Sequence, residues 1–320
     1  MPKKGFSASR LRRVLQCYGA GLIQKNIFGK KVKVMKKNNI FSGKSKAEIS
    51  AMARAAREKA LERMQRKTKA TERAKEKIAR GDRLTISEFE AYTGIMFSHS
   101  MTGKLDNVLC LSTSCACNNR CIARMKNPEL ICNDCFAIDT QSNYKGVFEN
   151  TALNAAILSK EVLPLNLWPV LDTDILRIES FGDVINVVHA INYINLAYMN
   201  PDTTVTAWTK NPDLWVKAFK KVGKPHNLIF GVSSDRKNEV MEIKPEYRPY
   251  VNFVFTVYEL DFLLEKGVNP EAFINCGGKS CRGCMKCYNE IFMRTNAGPI
   301  YISELLKADA KRARKMGINV

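Results

Sequence analysis

Ten of the eleven cysteines in this chain fall into two tight groups. The first is Cys110, Cys115, Cys117, Cys121, Cys132 and Cys135, and its last four read C-x3-C-x10-C-x2-C. The second is Cys276, Cys281, Cys284 and Cys287, and reads C-x4-C-x2-C-x2-C. Only Cys17 stands apart. Thiolates this close in sequence converge readily on one soft metal ion or one iron–sulfur cluster. A disulfide framework fits poorly. Such frameworks belong mostly to short secreted chains, whereas this one has 320 residues, no apolar leader after its basic start and no run approaching a membrane span. The expectation is a cytoplasmic, non-membrane protein with reduced, metal-binding thiols.

The spacing leaves the metal open. A cluster with one exposed iron needs three thiolates, whereas structural zinc needs a closed set of four. Cys117, Cys121, Cys132 and Cys135 suit either. The second group contains C-x4-C-x2-C, a spacing of ferredoxin cluster loops, with a fourth thiolate three positions on. A zinc knuckle is its alternative. Cys110 lies in an apolar run and reads as a packed small hydrophobe. Cys115 reads as a spare ligand or a thiol with no metal. Other chemistries fit less well. The three histidines are His99, His189 and His226, and no P-loop, nucleophile elbow or dinucleotide glycine signature is present. Tyr258 and Asp235 follow strand-like runs and are candidates for substrate binding or proton transfer, with structural roles the plainer reading.

These residues need elements to position them. From residue 107 short β-branched or aromatic runs alternate with helix-like segments, the pattern of a parallel α/β fold. Six strands are expected: Val108–Ser112, Ile175–Glu179, Thr204–Thr209, Leu228–Ser233, Asn252–Val257 and Ala272–Asn275. Helices are expected over Leu214–Val222, Tyr258–Lys266 and Val184–Met199, with a final one starting at Ser303 and ending at Gly317. Thr85-Ile86-Ser87-Glu88 reads as a capping box for a short helix closed by Gly94. Six units are too few for a closed eight-stranded barrel, so the alternatives are a partial (β/α)6 barrel or an open doubly wound sheet. In either, chemistry gathers at the carboxyl ends of the strands. Both cysteine groups, the Ser180–Asp183 loop and Lys210 are expected on that rim.

The charge is uneven. Residues 1–82 carry 24 Lys and Arg against 6 Asp and Glu, and so contribute +18 of the net +20. Residues 48–80 lack Gly and Pro and favour helix. The expected organisation is a basic, largely helical arm at 1–82, an α/β body at 83–300 and a C-terminal helix at 301–320. The arm either meets DNA or RNA through phosphate contacts or is a solvated extension.

The runs Cys117-Asn-Asn-Arg-Cys121, Cys132-Asn-Asp-Cys135-Phe136-Ala137, Arg177-Ile-Glu-Ser-Phe-Gly-Asp183, Trp208-Thr-Lys-Asn211 and Cys276-Gly-Gly-Lys-Ser-Cys281-Arg-Gly-Cys284-Met-Lys-Cys287-Tyr288 resemble the phage gene-product-eighty-eight family. The resemblance covers about residues 100–290. That family is remotely similar to the radical S-adenosylmethionine enzymes. The resemblance implies a four-iron cluster on the first cysteine group and an auxiliary cluster on the second. It implies S-adenosylmethionine near Glu179, Ser180, Gly182, Asp183, Thr209 and Lys210. The chain departs from the family's C-x3-C-x2-C loop by a ten-residue insert between Cys121 and Cys132, which leaves open which three cysteines hold a cluster. Three function classes follow: a radical-type iron–sulfur enzyme, a zinc-stabilised nucleic-acid-binding protein, or a phage structural or interaction protein without catalysis.

Overall fold

The computed structural model of the protein describes residues 66–99, 103–277, 280–289 and 298–320. The part of the basic arm at 1–65, with Cys17, lies outside the described residues. Residues 66–80 form helix α1. Helix α2, Ile86–Thr93, starts with the expected capping box. Thr85 accepts from the Glu88 amide, the Glu88 carboxylate accepts from the Thr85 amide, and Gly94 closes the helix at φ 80°. Helix α1 is not a solvated arm: Ala74 is fully buried in the main core and Lys77 pairs with Glu88.

The body is an α/β fold around one seven-stranded, mostly parallel sheet. Strand β1 (Ser98–His99) runs antiparallel to β2 (Leu109–Leu111). Strands β3 (Ile175–Ile178), β4 (Thr204–Thr209), β5 (Leu228–Ser233), β6 (Phe253–Tyr258) and β7 (Ile300–Leu305) then add in parallel, each beside the one before. The order never reverses, so the point that defines a doubly wound sheet is absent. Right-handed crossovers that always step in one direction place their helices on one face.

Strand alternation sorts the residues accordingly. Leu109, Leu111, Leu176, Ile178, Val205, Ala207, Phe230 and Val232 pack outward. They meet α6 (Val187–Tyr198), α7 (Pro212–Val222) and α2 in the main core. The alternate set, Val108, Cys110, Ile175, Ile229, Phe253, Phe255 and Ile302, forms a second core on the inner face. Gly231 belongs to that inner set for a steric reason: a β-carbon there would stand 2.0 Å from the Phe253 ring.

Two elements differ from expectation. Ala272–Asn275 is not the sixth strand. Asn269 caps a short helix, α9 (Pro270–Phe273), with Pro270 in its first turn. The sixth parallel strand is β7, which occupies residues expected to begin the last helix. That helix, here α11, starts only at Lys307 and runs to Lys315. Ser303-Glu304 resembles a helix start locally. The flanking Ile300 and Ile302 instead alternate with the exposed Tyr301, and full pairing with β6 decides the outcome. The boundary expected after residue 300 therefore falls inside a strand. Helix α8, Leu260–Glu265, lies between β6 and α9.

Candidate metal centres along the inner cavity

The insert between Cys121 and Cys132 explains how the first cysteines are brought together. After β2 the chain makes a 3-10 turn over Cys115–Cys117, capped by Ser114. Asn118 then caps helix α3, Asn119–Met125, which carries Cys121. Asn118 also ties this corner to the neighbouring strand's loop. Its Nδ2 donates to the carbonyls of Asp183 at 3.1 Å and Val184 at 3.2 Å. A second 3-10 turn, Ile131–Asp134, holds Cys132 and is anchored by the Ile131 amide on the Asp235 carbonyl at 2.8 Å. Cys135 caps α4, Phe136–Asn143, which leads into α5, Lys145–Leu158.

Cys115, Cys121, Cys132 and Cys135 face one another here. The Cys115 thiol donates to Gln141 Oε1 at 3.5 Å and lies beside Cys135, and Cys121 and Cys132 lie within electrostatic reach of Cys135. Cys135 is held below the ordinary thiol range, first by the neighbouring Cys115 thiol and, against the opposing effect of burial, by the Ile138 and Ala137 amides and the Lys210 ammonium. Burial pushes Cys121 and Cys132 up. Cys115, read as a spare ligand or a thiol with no metal, lies beside these thiols. Cys117 sits on the same turn, half-buried.

Beside these thiols the loop after β3 makes a buried acidic knot. Glu179 ends the strand in the left-handed region at φ 52°, which is costly for a side chain with a β-carbon. Its carboxylate accepts from the Thr113 amide at 3.0 Å, the Thr113 hydroxyl at 2.7 Å and the Tyr193 hydroxyl at 2.7 Å. His189 Nε2 stands 3.4 Å away without hydrogen-bond alignment. Burial raises Glu179 to about 7 and lowers His189 to about 3. The loop needs Gly182, because a β-carbon there would meet the Thr113 carbonyl at 2.5 Å and the Glu179 carboxylate at 2.7 Å. Ser180 pairs with Ser112 at 2.7 Å. Asp183 accepts from the Thr209 hydroxyl at 2.6 Å, the Val184 amide at 2.8 Å and the Lys210 amide at 3.0 Å. Lys210 Nζ donates to Ser233 at 3.3 Å. The six residues expected to receive a cofactor thus lie near the carboxyl ends of β3 and β4, with Glu179 and Ser180 tied to Thr113 and Ser112 beyond β2, and Asp183 tied to Thr209 and Lys210.

The second cysteine group is placed differently from expectation. It precedes β7 rather than following a sixth strand, and it crosses the inner face of the sheet. Cys276 runs beside β7, its amide donating to the Ser303 carbonyl at 2.9 Å. Lys104 Nζ lies 3.5 Å from its sulfur and pairs with Glu304. Cys281 and Cys284 bound the single-turn helix α10. Arg282 on that turn bonds Asp174 at 2.7 Å and the Asn107 carbonyl at 3.2 Å, both at the amino ends of strands. Thr206, midway along β4, donates to the Cys287 carbonyl at 3.0 Å. Burial pushes Cys276 to about 11 and Cys287 to about 12.

A cavity of about 1460 Å³ connects the two places. Its wall includes Cys115, Cys121, Cys132 and Cys135 at one end, Cys276, Cys281, Cys284 and Cys287 at the other, and Glu179, Asp183 and Lys210 between strand ends. Among the described residues, no three His, Cys, Asp or Glu side chains are already closed to metal-binding distance. The donor chemistry fits a soft metal: two sets of four half-buried to buried thiols, each set within one local segment.

Comparison with known proteins gives no match to any protein family, curated protein or solved structure. The site must be judged by its own geometry.

The other candidates take structural places. Tyr258 is buried against Phe262 and Phe273. Asp235 pairs with Arg124, and His189 is fully buried in α6. Thr113 and Tyr193 carry much of the site without a sequence signal. Tyr193 reaches Glu179 only because α6 packs back over the end of β3. Among the described residues no helix is long and apolar enough to cross a membrane.

Proposed function

We propose that this chain is a radical-type iron–sulfur enzyme of phage or mobile-element kind. The sheet would be the wall of a partial (β/α)6 barrel. A four-iron cluster would take three thiolates from Cys117, Cys121, Cys132 and Cys135, with Cys115 as a further candidate from the geometry. Cys276, Cys281, Cys284 and Cys287 would hold a second centre. One observation carries the reading: a single large cavity joins a set of converging thiols to a buried, strained acidic loop at the carboxyl ends of parallel strands. That is where parallel α/β folds place ligands.

When bound, the cluster and S-adenosylmethionine would supply one-electron chemistry. The chain's own residues would position and shield. Glu179, Ser180, Gly182, Asp183, Thr209 and Lys210 line or support the cofactor end. Glu179 Oε2 accepts from the Thr113 amide and Asp183 Oδ2 from the Lys210 amide, and both residues line the cavity. Lys210 brings a cation to the same wall. Residues 1–82 would contact DNA or RNA electrostatically, in the cytoplasm of the host cell.

The competing reading is a zinc-stabilised nucleic-acid-binding or interaction protein without catalysis. It is favoured by the four-thiol content of each group, which suffices to close a structural zinc site. Anaerobic purification with iron, sulfide and zinc analysis separates the two. The enzyme reading expects a brown protein absorbing broadly at roughly 400 nm, and heat on titration with S-adenosylmethionine. Stoichiometric zinc without iron would overturn it.

A further inference from the structure

Arg177 lies in the middle of β3 on the inner face, where strand pairing sets it between Cys110 of β2 and Thr206 of β4. It is a charged side chain only 7% exposed. Its guanidinium carbon stands 3.7 Å from the centre of the Trp208 ring. The Tyr288 hydroxyl lies beside it, buried and without a hydrogen-bond partner of its own, and Cys110, Cys281 and Cys287 lie within electrostatic reach. Its Nε has no hydrogen-bond partner, and no ion pair among the described residues includes it. Cys287 is fixed in this neighbourhood by Thr206, one strand over.

A guanidinium taken out of water without an anion carries a heavy desolvation cost. An aromatic face offsets only part of it. The groups around Arg177 that are able to become negative are the cysteine thiols. Four thiolates around one divalent ion, or around a four-iron cluster, leave the centre with net negative charge. We infer that Arg177 is the buried counter-charge of a tetrathiolate centre formed by Cys276, Cys281, Cys284 and Cys287. The pairing explains why a strand in the middle of a hydrophobic sheet spends an inward position on arginine. It also explains why the second cysteine group crosses the inner face instead of sitting on the rim. The inference rests on the reading that this group binds metal, and it holds for zinc or an iron–sulfur cluster.

The test uses full-length, metal-loaded protein. Metal release to a competing chelator is measured for wild type, Arg177→Met and Arg177→Lys. The second centre's share is assigned from the loss in a Cys281→Ser, Cys284→Ser variant. Arg177→Met is expected to weaken the second centre about tenfold or more, the usual size of an outer-shell effect. The first centre should be unchanged, and Arg177→Lys should recover most of the affinity. Equal affinity in Arg177→Met overturns the inference. Unchanged metal content in the double cysteine variant instead overturns the reading beneath it.

Melting temperature supplies a second readout. Loaded Arg177→Met should melt below loaded wild type, whereas the chelator-stripped variant should melt at or above stripped wild type, because the uncompensated cation is gone. Equal destabilisation of both forms would mark Arg177 as packing only and overturn the inference. Should Arg177→Met not accumulate, Arg177→Gln removes the charge while keeping a donor, and is read in the same way.

Discussion

Glu179 and His189 form a buried pair whose effects on stability run in opposite directions. Burial raises Glu179 from 4.5 to about 7, so the folded state holds that proton more tightly than the unfolded chain. The stabilisation is complete below pH 4.5 and is lost as pH rises through 7, of the order of 3 kcal/mol over the window. His189, lowered to about 3, costs stability as pH falls below its ordinary 6.5. Glu179→Gln removes only the first effect. Its stability relative to wild type should therefore improve between pH 5 and 7 and level off above, as read by urea unfolding at several pH values. A difference that stays flat with pH would contradict the assignment. Gly231 gives a steric test at the same scale. Gly231→Ala drives a methyl into the Phe253 ring and should cost about 1–3 kcal/mol. Adding Phe253→Leu should return part of the loss, whereas strictly additive losses would mean the ring is not the obstacle.

At the scale of elements, Asn118 is the hinge of the first cysteine group. It caps α3 and hydrogen-bonds two carbonyls of the Glu179–Val184 loop. Asn118→Ala should cost about 1–2 kcal/mol. It should also lower metal content at the first group while sparing the second, because the two groups hang from different segments. Metal analysis in the Cys281→Ser, Cys284→Ser background reads the first site alone. Equal metal in both backgrounds would show that α3 does not position the thiols. In the same way, Cys132→Ser with Cys135→Ser should lower metal content and stability together, since metal binding to such a loop is folding free energy. Unchanged metal content would remove both residues from the ligand set.

For the whole molecule, the charge boundary at residue 82 is not where the body begins, because helix α1 lies within the core. Residues 1–65 hold 17 Lys and Arg against 3 Asp and Glu. Helix α1, by contrast, buries Ala70 and Ala74 and pairs with α2. Deleting 1–65 should weaken binding of labelled DNA and RNA and flatten its salt dependence. Deleting 1–82 should also destabilise the body, because Ala74 and Ile78 leave the core cluster. Equal nucleic-acid affinity for full-length and truncated protein would assign the arm to another partner. Equal melting temperatures for the two truncations would mean that α1 adds nothing.

Much of this was open to reading from the chain alone, and for local reasons. Caps and glycines punctuate helices within a few residues, so the Thr85 capping box and Gly94 marked ends that the structure keeps. Apolar runs fixed five of the six parallel strands, since strands covered on both faces are continuous in composition. Cysteine spacing marked both candidate centres. What depends on distant partners was not legible. Residues 300–305 are a strand because β6 offers a free edge, and nothing within Ile-Tyr-Ile-Ser-Glu-Leu states that. The sequence could not say that Cys115 meets Cys135, that Tyr193 reaches Glu179, or that Arg177 points at Cys287 rather than at helices. Each of these contacts joins residues brought near only when the sheet forms and its two faces become distinct. The types and local order of the functional groups are written in the chain. Which of them share a cavity is decided by the order of strands in the sheet and by the face each side chain takes.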